Sequence, residues 1–475
     1  MKIISSFLLV TLASICIHYN GIAQFTFPLK ISNDHRYLVD QHNKPFPILG
    51  RTAWFIISQS TNGYKTFIDN SIAHGYNSIE MSIITHWPMG NHAPFNSNGN
   101  IPFKKRLNGN EWDGKLTYNN IKTGAPDLLT PDENYWLFAD SFLTYCEAKG
   151  ILVFLFPGYD GYDGGDQGWM QELVANGTQR TETYGAWIAN RYKCRKNIVW
   201  MLLGDMGKFN EEQRNAQAAL IKGLKSVKDQ QCVNYSAESY SGENSADNIY
   251  FGNEMTLNGS YSWELKVPVP YIARKAYAHE PAMPSFLLEE PYDEEGPDGN
   301  NYNPNAVQPV RRFQWWGWLS TIGGYISGNG YVWQFVDPIW QQHLNTQAAF
   351  DMERLNGFIK NMEWWKLIPS GLNGMKTLIT DVNNIDTSAG YVSAAATKDG
   401  TLMVAYIPPA HDGSIKVDMS VFAKKVYATW FDPTNAVYTT ISTKAFDNKG
   451  IYTFTPPAKN SKGENDWVLI LSAKK

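Results

Sequence analysis

Several features that would assign this 475-residue chain to a familiar class are missing from its sequence. After the first twenty-odd residues, no apolar run approaches the roughly 18 residues that a membrane-spanning helix needs. The formal net charge is only −4, from 41 basic and 45 acidic residues. Nucleic-acid binding depends on clustered lysine and arginine, which this near-neutral balance does not suggest. These absences predict a chain with no membrane span and no nucleic-acid partner.

Cysteine is also scarce, with four in the whole chain. Cys16 lies in the apolar N-terminal segment, and the remaining three are an odd number at spacings that match no zinc site. At most one disulfide could form, so the chain is not a disulfide scaffold. Cys146 lies inside a helical pattern and is expected to be a buried small hydrophobic residue.

The motifs of several enzyme classes are missing as well. No G-x-G-x-x-G follows the first predicted strand, and there is no P-loop, no H-E-x-x-H and no G-x-S-x-G. The sequence therefore lacks the main evidence for a nucleotide-binding protein, a zinc protease or a serine hydrolase. The sequence predicts chemistry carried by side chains, without a cofactor or a metal.

The N-terminus has the pattern of a secretory signal peptide. Lys2 provides the positive start, residues 3–17 are mostly apolar, and Gly21-Ile22-Ala23 places small residues before Gln24. We therefore predict a signal peptide over residues 1–23 and a secreted or periplasmic mature protein.

Apolar strand patterns alternate with helical patterns from about residue 46 to residue 335. Buried strands separated by helices are typical of a parallel sheet, and eight strands in one series favour a (β/α)8 barrel. The predicted strands are 52–57, 77–84, 151–156, 197–203, 233–236, 255–258, 285–288 and 324–334. The predicted catalytic domain spans residues 24–370.

A different pattern begins near Gly371. Short β-rich stretches are separated by turn residues such as Asp399-Gly400 and Asp412-Gly413, which predicts an antiparallel β-sandwich over residues 371–475. No glycine-, serine- or proline-rich tether lies between Trp365 and Tyr391. We therefore expect the sandwich to dock on the barrel.

Two predicted strands end in carboxylates. The fourth runs into Gly204-Asp205, and the seventh runs into Glu289-Glu290-Pro291. Catalytic groups of barrel enzymes lie at the carboxyl ends of the strands, and paired carboxylates there are what glycoside hydrolysis needs. Strand alternation lets only one of the two adjacent glutamates point into the barrel. Glu238 and Glu254 remain alternatives to Asp205.

Other side chains at predicted strand ends are candidates for substrate binding. Indole rings stack on the C–H faces of sugars, although most of the 17 tryptophans are expected in the core. Asp160 belongs to a loop with Asp163 and Asp166, for which a calcium site is an open alternative. The predicted binding residues are Trp54, His86, Asp160, Asn258, Tyr292 and Trp333.

These residues resemble a known family. Thr52-Ala53-Trp54, Gly204-Asp205, Glu290-Pro291-Tyr292 and Val332-Trp333-Gln334 resemble the apiosidase-like barrels of glycoside hydrolase family 140. Trp430-Phe431-Asp432-Pro433 is similar to a small β-domain that carries the name collagen-binding domain.

The resemblance implies a glycosidase that releases apiose from side chains of the plant pectin rhamnogalacturonan II. It also implies Asp205 as the acid/base and Glu290 as the nucleophile of a retaining mechanism. The alternatives are another exo-glycosidase of the arabinofuranosidase or galactosidase type, or a non-catalytic carbohydrate-binding protein. The expected partner is an oligo- or polysaccharide, and the expected state is a monomer.

Overall fold

The computed structural model describes residues 25–86, 93–115, 124–238, 242–262, 268–295, 307–335 and 338–474. The predicted signal peptide, residues 1–23, lies outside these ranges.

Eight parallel strands form the central sheet. They are β1 (Ile48–Thr52), β2 (Ser78–Ser82), β3 (Leu152–Phe156), β4 (Ile198–Leu203), β5 (Tyr235–Glu238), β6 (Asn258–Tyr261), β7 (Ser285–Glu289) and β8 (Ile322–Ser327). Their hydrogen-bonded order is β5-β4-β3-β2-β1-β8-β7-β6. At the seam between β5 and β6, the amides of Thr256 and Leu257 both donate to the carbonyl of Tyr235. The sheet is thus a nearly closed barrel, which confirms the predicted fold class.

Helices accompany the barrel strands. They are α1 (Thr61–Ala73), α2 (Glu133–Lys149), α3 (Met170–Tyr192), α4 (Glu211–Ser226), α5 (Val269–Tyr277), α6 (Val307–Thr321) and α7 (Gln347–Lys360). In α2, the Asp132 side chain caps the first turn and Gly150 ends the helix at a φ of 73°. Cys146 is buried on its inner face, as predicted. None of the helices in the described ranges is long and apolar enough to cross a membrane.

Short elements complete the barrel unit. A three-stranded antiparallel sheet precedes β1 and comprises Lys30–Ile31, Leu38–Val39 and Pro45–Phe46. Single 3-10 turns lie at Ile56–Ser58, Tyr162–Gly164, Ser245–Asp247, Gly252–Glu254, Trp340–His343 and Trp364–Lys366.

The C-terminal unit consists of two antiparallel sheets. Its strands are β9 (Leu367–Pro369), β10 (Ser393–Thr397), β11 (Leu402–Ile407), β12 (Ile415–Asp418), β13 (Tyr427–Phe431), β14 (Tyr438–Thr440), β15 (Ile451–Phe454) and β16 (Trp467–Ser472), with a 3-10 turn at Met419–Val421. Six of them form a sheet in the order β9-β10-β11-β16-β13-β14, and β12 pairs with β15. Val417, Phe454 and Leu469 share the core between the two sheets.

Some strands differ from their predicted positions. β1 ends at Thr52, where the predicted first strand begins, because residues 56–58 turn into a 3-10 helix. β6 begins at Asn258, where the predicted sixth strand ends. β8 ends at Ser327, several residues before the predicted end of the last strand. Apolar content alone did not distinguish a strand from the buried loop that follows or precedes it.

Helix α6 joins the two units. Trp315 stacks on Tyr406 of β11 with ring centroids 5.7 Å apart, and the Trp316 indole donates to the carbonyl of Tyr391 at 2.9 Å. The C-terminal unit therefore packs directly on the barrel, as the absence of a flexible tether predicted.

A buried ionic network lies at the same interface. The Arg311 guanidinium of α6 donates to both carboxylate oxygens of Asp466 at 2.8 Å and to Asp351 of α7 at 2.6 Å. Tyr406 also donates to Asp466, at 2.9 Å. Arg311, Asp351 and Asp466 are at most 1% exposed as side chains. A buried pair of this kind destabilises the fold strongly when one partner is removed, because the other charge stays buried without compensation.

We predict that Arg311→Met will lower the free energy of unfolding by about 3–5 kcal/mol, because the buried Asp466 loses its cation and Asp351 keeps only its pair with Arg354. Lys222→Met is the matched control, since Lys222 forms a solvent-exposed pair with Glu182 and should cost less than about 1 kcal/mol. Urea unfolding of the full chain, followed by tryptophan fluorescence, measures both. Equal effects of the two substitutions would contradict the prediction.

Candidate active site

A sharp turn at the end of β4 presents Asp205. Leu203, Gly204 and Asp205 have φ values of 62°, 130° and 45°, which is a left-handed run. A Cβ atom on Gly204 would lie 2.2 Å from Cδ2 of Tyr159, so only glycine fits at this position. The turn brings the Asp205 carboxyl against the Tyr159 hydroxyl.

The Asp205 carboxyl accepts two hydrogen bonds from tyrosines. The Tyr159 hydroxyl donates to Oδ2 at 2.9 Å, and Tyr261 at the end of β6 donates as well. Burial and the nearby charge of Glu289 nevertheless raise the pKa of Asp205 to about 7, since the two hydrogen bonds oppose them only in part. Asp205 can therefore hold a proton near neutral pH and release it there.

A β-bulge at the end of β7 decides which glutamate faces the barrel. Leu287 pairs with Ser260 and Glu289 pairs with Tyr261, so β7 has one residue more than β6 between these pairs. The extra residue interrupts strand alternation. Glu289, and not Glu290, consequently points toward Asp205.

Glu289 lies in a hydrogen-bonded chain at the mouth of the barrel. The Tyr292 hydroxyl donates to its Oε1, and the Trp54 indole contacts the same hydroxyl at 3.0 Å. The Glu289 carboxyl also shares a hydrogen bond with Glu238. Burial raises the pKa of Glu289, whereas Glu238 and Tyr292 oppose that rise because both bonds favour the ionised form.

The structure places Glu290 apart from the pair of Asp205 and Glu289. Its side chain is fully buried on the outer side of the barrel wall, where the amide of Gln314 in α6 donates to Oε1. Burial raises the pKa of Glu290 well above its usual range. The prediction of Glu290 rested on the extended backbone before Pro291 and on the family resemblance, neither of which reports the bulge that turns Glu289 toward Asp205.

Aromatic rings line the mouth beside the two carboxyls. Trp54 lies 5.2 Å from Tyr159 and Tyr292 lies 6.5 Å from Trp333, measured between ring centroids. The structure thus brings together three predicted binding residues, Trp54, Tyr292 and Trp333, on the side where Glu289 lies. Their contact with a sugar stays a prediction.

His86 has a different place from the predicted one. Its Nε2 lies 2.8 Å from Glu172 in α3, and its Nδ1 lies 2.8 Å from the carbonyl of Asp166. Both side chains of the His86–Glu172 pair are at most 2% exposed. His86 therefore fastens the loop after β3 to α3 and does not line the mouth.

Asp160 and Asn258 also lie away from the mouth. Asp160 is fully buried against α4, where the Gln217 amide donates to it at 3.2 Å. Asn258 is the first residue of β6 and so lies at the amino-terminal end of the barrel, with its amide donating to the carbonyl of Ala276 at 3.2 Å. The three-residue shift of strand six explains the error at Asn258.

The sequence reasoning missed several residues of this site. A correct placement of β6 would have identified Tyr261 as a residue at a strand end. Glu80 could have been identified as the single charged residue of an apolar strand. Glu238 had been considered only as a substitute for Asp205. The missed residues are Glu80, Tyr159, Glu238, Tyr261 and Glu289. Within the described ranges, no cluster of three or more histidine, cysteine or acidic residues could hold a metal ion.

Comparison with protein families agrees with this geometry. The family described as "Apiosidase-like, catalytic domain" matches residues 32–366, well over half of the chain. The chain therefore belongs to the apiosidase-like family, and the protein is a glycoside hydrolase. Residues 376–472 match a second family, described as "Putative collagen-binding domain of a collagenase". A search of functionally curated proteins finds no significant match.

Solved structures share the whole architecture. One, described as a glycoside hydrolase, is 18% identical with a TM-score of 0.74, and the match covers 95% of this chain and 99% of that chain. A second, a glycoside hydrolase family 5 protein from Bacteroides vulgatus ATCC 8482, is 17% identical with a TM-score of 0.74, covering 94% and 95%. At such identities the likeness shows the fold.

We predict that Glu289→Gln will lower kcat/KM by at least about 10,000-fold, because it removes the carboxylate at the mouth. Glu290→Gln should stay within about tenfold of the wild type, since a glutamine can still pair with Gln314 outside the barrel. Glycoside hydrolysis assays on the two purified variants show whether Glu289 or Glu290 is needed for activity. Melting temperatures serve as the folding control. A larger loss of kcat/KM in Glu290→Gln than in Glu289→Gln would contradict the prediction and favour Glu290 as the nucleophile.

Proposed function

We propose that this glycoside hydrolase releases a terminal apiose-type sugar from side chains of a plant polysaccharide, with rhamnogalacturonan II as the substrate. The observation that carries the catalytic part is the pair Asp205 and Glu289, two carboxyls at one end of the barrel in unlike environments. The family match supports the apiose type of sugar.

The proposed mechanism is a retaining double displacement. Glu289 attacks the anomeric carbon as a carboxylate while Asp205 donates its proton to the departing glycosidic oxygen. The resulting glycosyl ester on Glu289 is then hydrolysed by water, which Asp205 deprotonates as the water attacks. The proton that leaves in the first step is thereby restored in the second.

The environments of the two carboxyls support these roles. A general acid needs a pKa near the working pH, and burial with the adjacent negative charge raises the pKa of Asp205 to about 7. A nucleophile must stay ionised, and the two hydrogen bonds to Glu289 favour that state. Trp54 and Trp333 would provide the apolar platform for the sugar ring.

We also propose that the protein is exported. The support is the N-terminal pattern of Lys2, an apolar segment and Gly21-Ile22-Ala23, which predicts a signal peptide. A polysaccharide substrate outside the cell would be consistent with export. Fractionation of cells expressing the full chain, with N-terminal sequencing of the product, would test cleavage before Gln24.

We predict that kcat/KM will fall tenfold per pH unit above about pH 7, because Asp205 loses the proton that the leaving oxygen needs. Asp205→Asn should remove this basic limb. It should nearly abolish turnover of natural glycosides yet spare first-step cleavage of an aryl glycoside whose leaving group needs no proton. An unchanged basic limb in the variant would show that Asp205 is not the acid.

The substrate is tested with a panel of plant polysaccharides, scored by chromatography for released monosaccharide. We expect apiose from rhamnogalacturonan II with the wild type and none with Glu289→Gln. Release of arabinose or galactose instead would favour the alternative exo-glycosidases on the same barrel. That outcome would change the proposed substrate sugar but not the proposed roles of Asp205 and Glu289.

A further inference from the structure

Two additional glutamates lie beneath the proposed catalytic pair, inside the barrel. Glu80 of β2 is fully buried and Glu238 of β5 is 1% exposed. Glu80 is the register partner of Phe154 in β3, and the Phe154 ring lies 5.4 Å from Phe286 of β7 across the barrel. The Glu80 side chain therefore faces the barrel interior rather than the surrounding helices.

The cluster formed by Glu80, Asp205, Glu238 and Glu289, here called the carboxyl cluster, cannot carry four charges. The groups that shift the pKa values of Glu80 and Glu289 are other carboxyls and a tyrosine, and burial itself contributes most. No cation is among them. Uncompensated carboxylates in an apolar interior take up protons instead of ionising together. Some members of the cluster must therefore be neutral.

Hydrogen bonding decides where the charge lies. The Tyr292 hydroxyl donates to Oε1 of Glu289 and so favours its ionised form, and the Glu238 carboxyl lies within hydrogen-bonding reach of Glu289. In contrast, both carboxyl oxygens of Glu80 and the Oε2 of Glu238 have no hydrogen-bond partner among the described residues. A carboxyl that nothing stabilises as an anion is the one that keeps its proton, so among the three glutamates Glu289 carries the charge.

We propose that Glu238 is a positioning residue that stays neutral and donates its carboxyl hydrogen to Glu289. The bond holds the negative charge of the carboxyl cluster on the group that attacks the anomeric carbon. This inference rests on the proposed function, because it takes Glu289 as the nucleophile. Glu80 closes the cluster as a second neutral acid and keeps another anion away from Glu289.

The directions of the pKa shifts agree with a neutral Glu238 and a neutral Glu80. Burial and the charge of Glu289 raise the pKa of Glu238 and that of Glu80 well above the usual range. The titratable groups that interact electrostatically with Glu238 or Glu289 come from several elements of the described barrel, and Glu290 does so from outside the barrel wall. They are Glu80, Tyr159, Asp205, Tyr261, Glu290 and Tyr292.

The test compares Glu238→Gln with Glu238→Met. Glutamine keeps a donor toward Glu289 but cannot ionise, so kcat/KM on a 4-nitrophenyl glycoside that the wild type hydrolyses should stay within about fivefold. Methionine keeps the length and removes the donor, so the acid limb of the pH profile should move up by about one unit as the pKa of Glu289 rises. Glu212→Gln, on the solvent side of α4, is the matched control.

Two outcomes would overturn the proposal. A Glu238→Gln enzyme as inactive as Glu289→Gln would mean that Glu238 works as an anion. Identical pH profiles for the glutamine and methionine variants would mean that its hydrogen is irrelevant. Circular dichroism and melting temperatures establish that each variant is folded.

A second measurement does not depend on activity. The infrared difference spectrum between wild type and Glu238→Gln at neutral pH should lose the carbonyl stretch of a neutral carboxylic acid. Loss of a carboxylate band instead would overturn the proposal even if the methionine variant fails to fold. If Glu289→Gln retained activity, the proposed function would fail, and the spectrum would still report whether Glu238 is neutral.

Discussion

The bidentate contact between Arg311 and Asp466 is the constraint on which the active side of the barrel depends. It fixes α6 to the C-terminal unit, and Gln314, three residues further along the same helix, donates a hydrogen bond to Glu290. Glu290 adjoins Glu289, the proposed nucleophile, at the bulge of β7, so α6 contacts both the C-terminal unit and the strand that carries Glu289. The C-terminal unit is thus linked to the active side of the barrel through one helix.

The mouth of the barrel shows how burial and hydrogen bonding divide roles among like groups. Desolvation raises the pKa of each of its acidic side chains, yet the number of donors differs from one to the next. Tyr292 donates to Glu289, and Tyr159 and Tyr261 donate to Asp205, whereas Glu80 has no partner among the described residues. One site can therefore hold an acid and an anion side by side without a cation between them.

Much of the fold and part of the site could be predicted from the sequence. Local sequence signals predict continuous apolar strands such as β3 and β4 and capped helices such as α2. The position of Asp205 could be predicted because it lies just after the end of β4. The side chain that faces Asp205 could not be chosen between Glu289 and Glu290, because a bulge has no local signature in a run of apolar residues and two glutamates. Likewise, burial decided the roles of His86 and Asp160, and burial depends on tertiary contacts that the strand pattern does not contain.

The span of the Arg311–Asp466 contact has a consequence for biosynthesis. The two residues are 155 positions apart in the chain, so a ribosome that has already completed all eight barrel strands has not yet made the anchor of α6. Until Asp466 emerges, Arg311 has Asp351 of α7 as its carboxylate partner and lacks the bidentate contact. The link between the barrel and the C-terminal unit is in this way completed only at the last stage of synthesis, after the strands of the barrel have emerged.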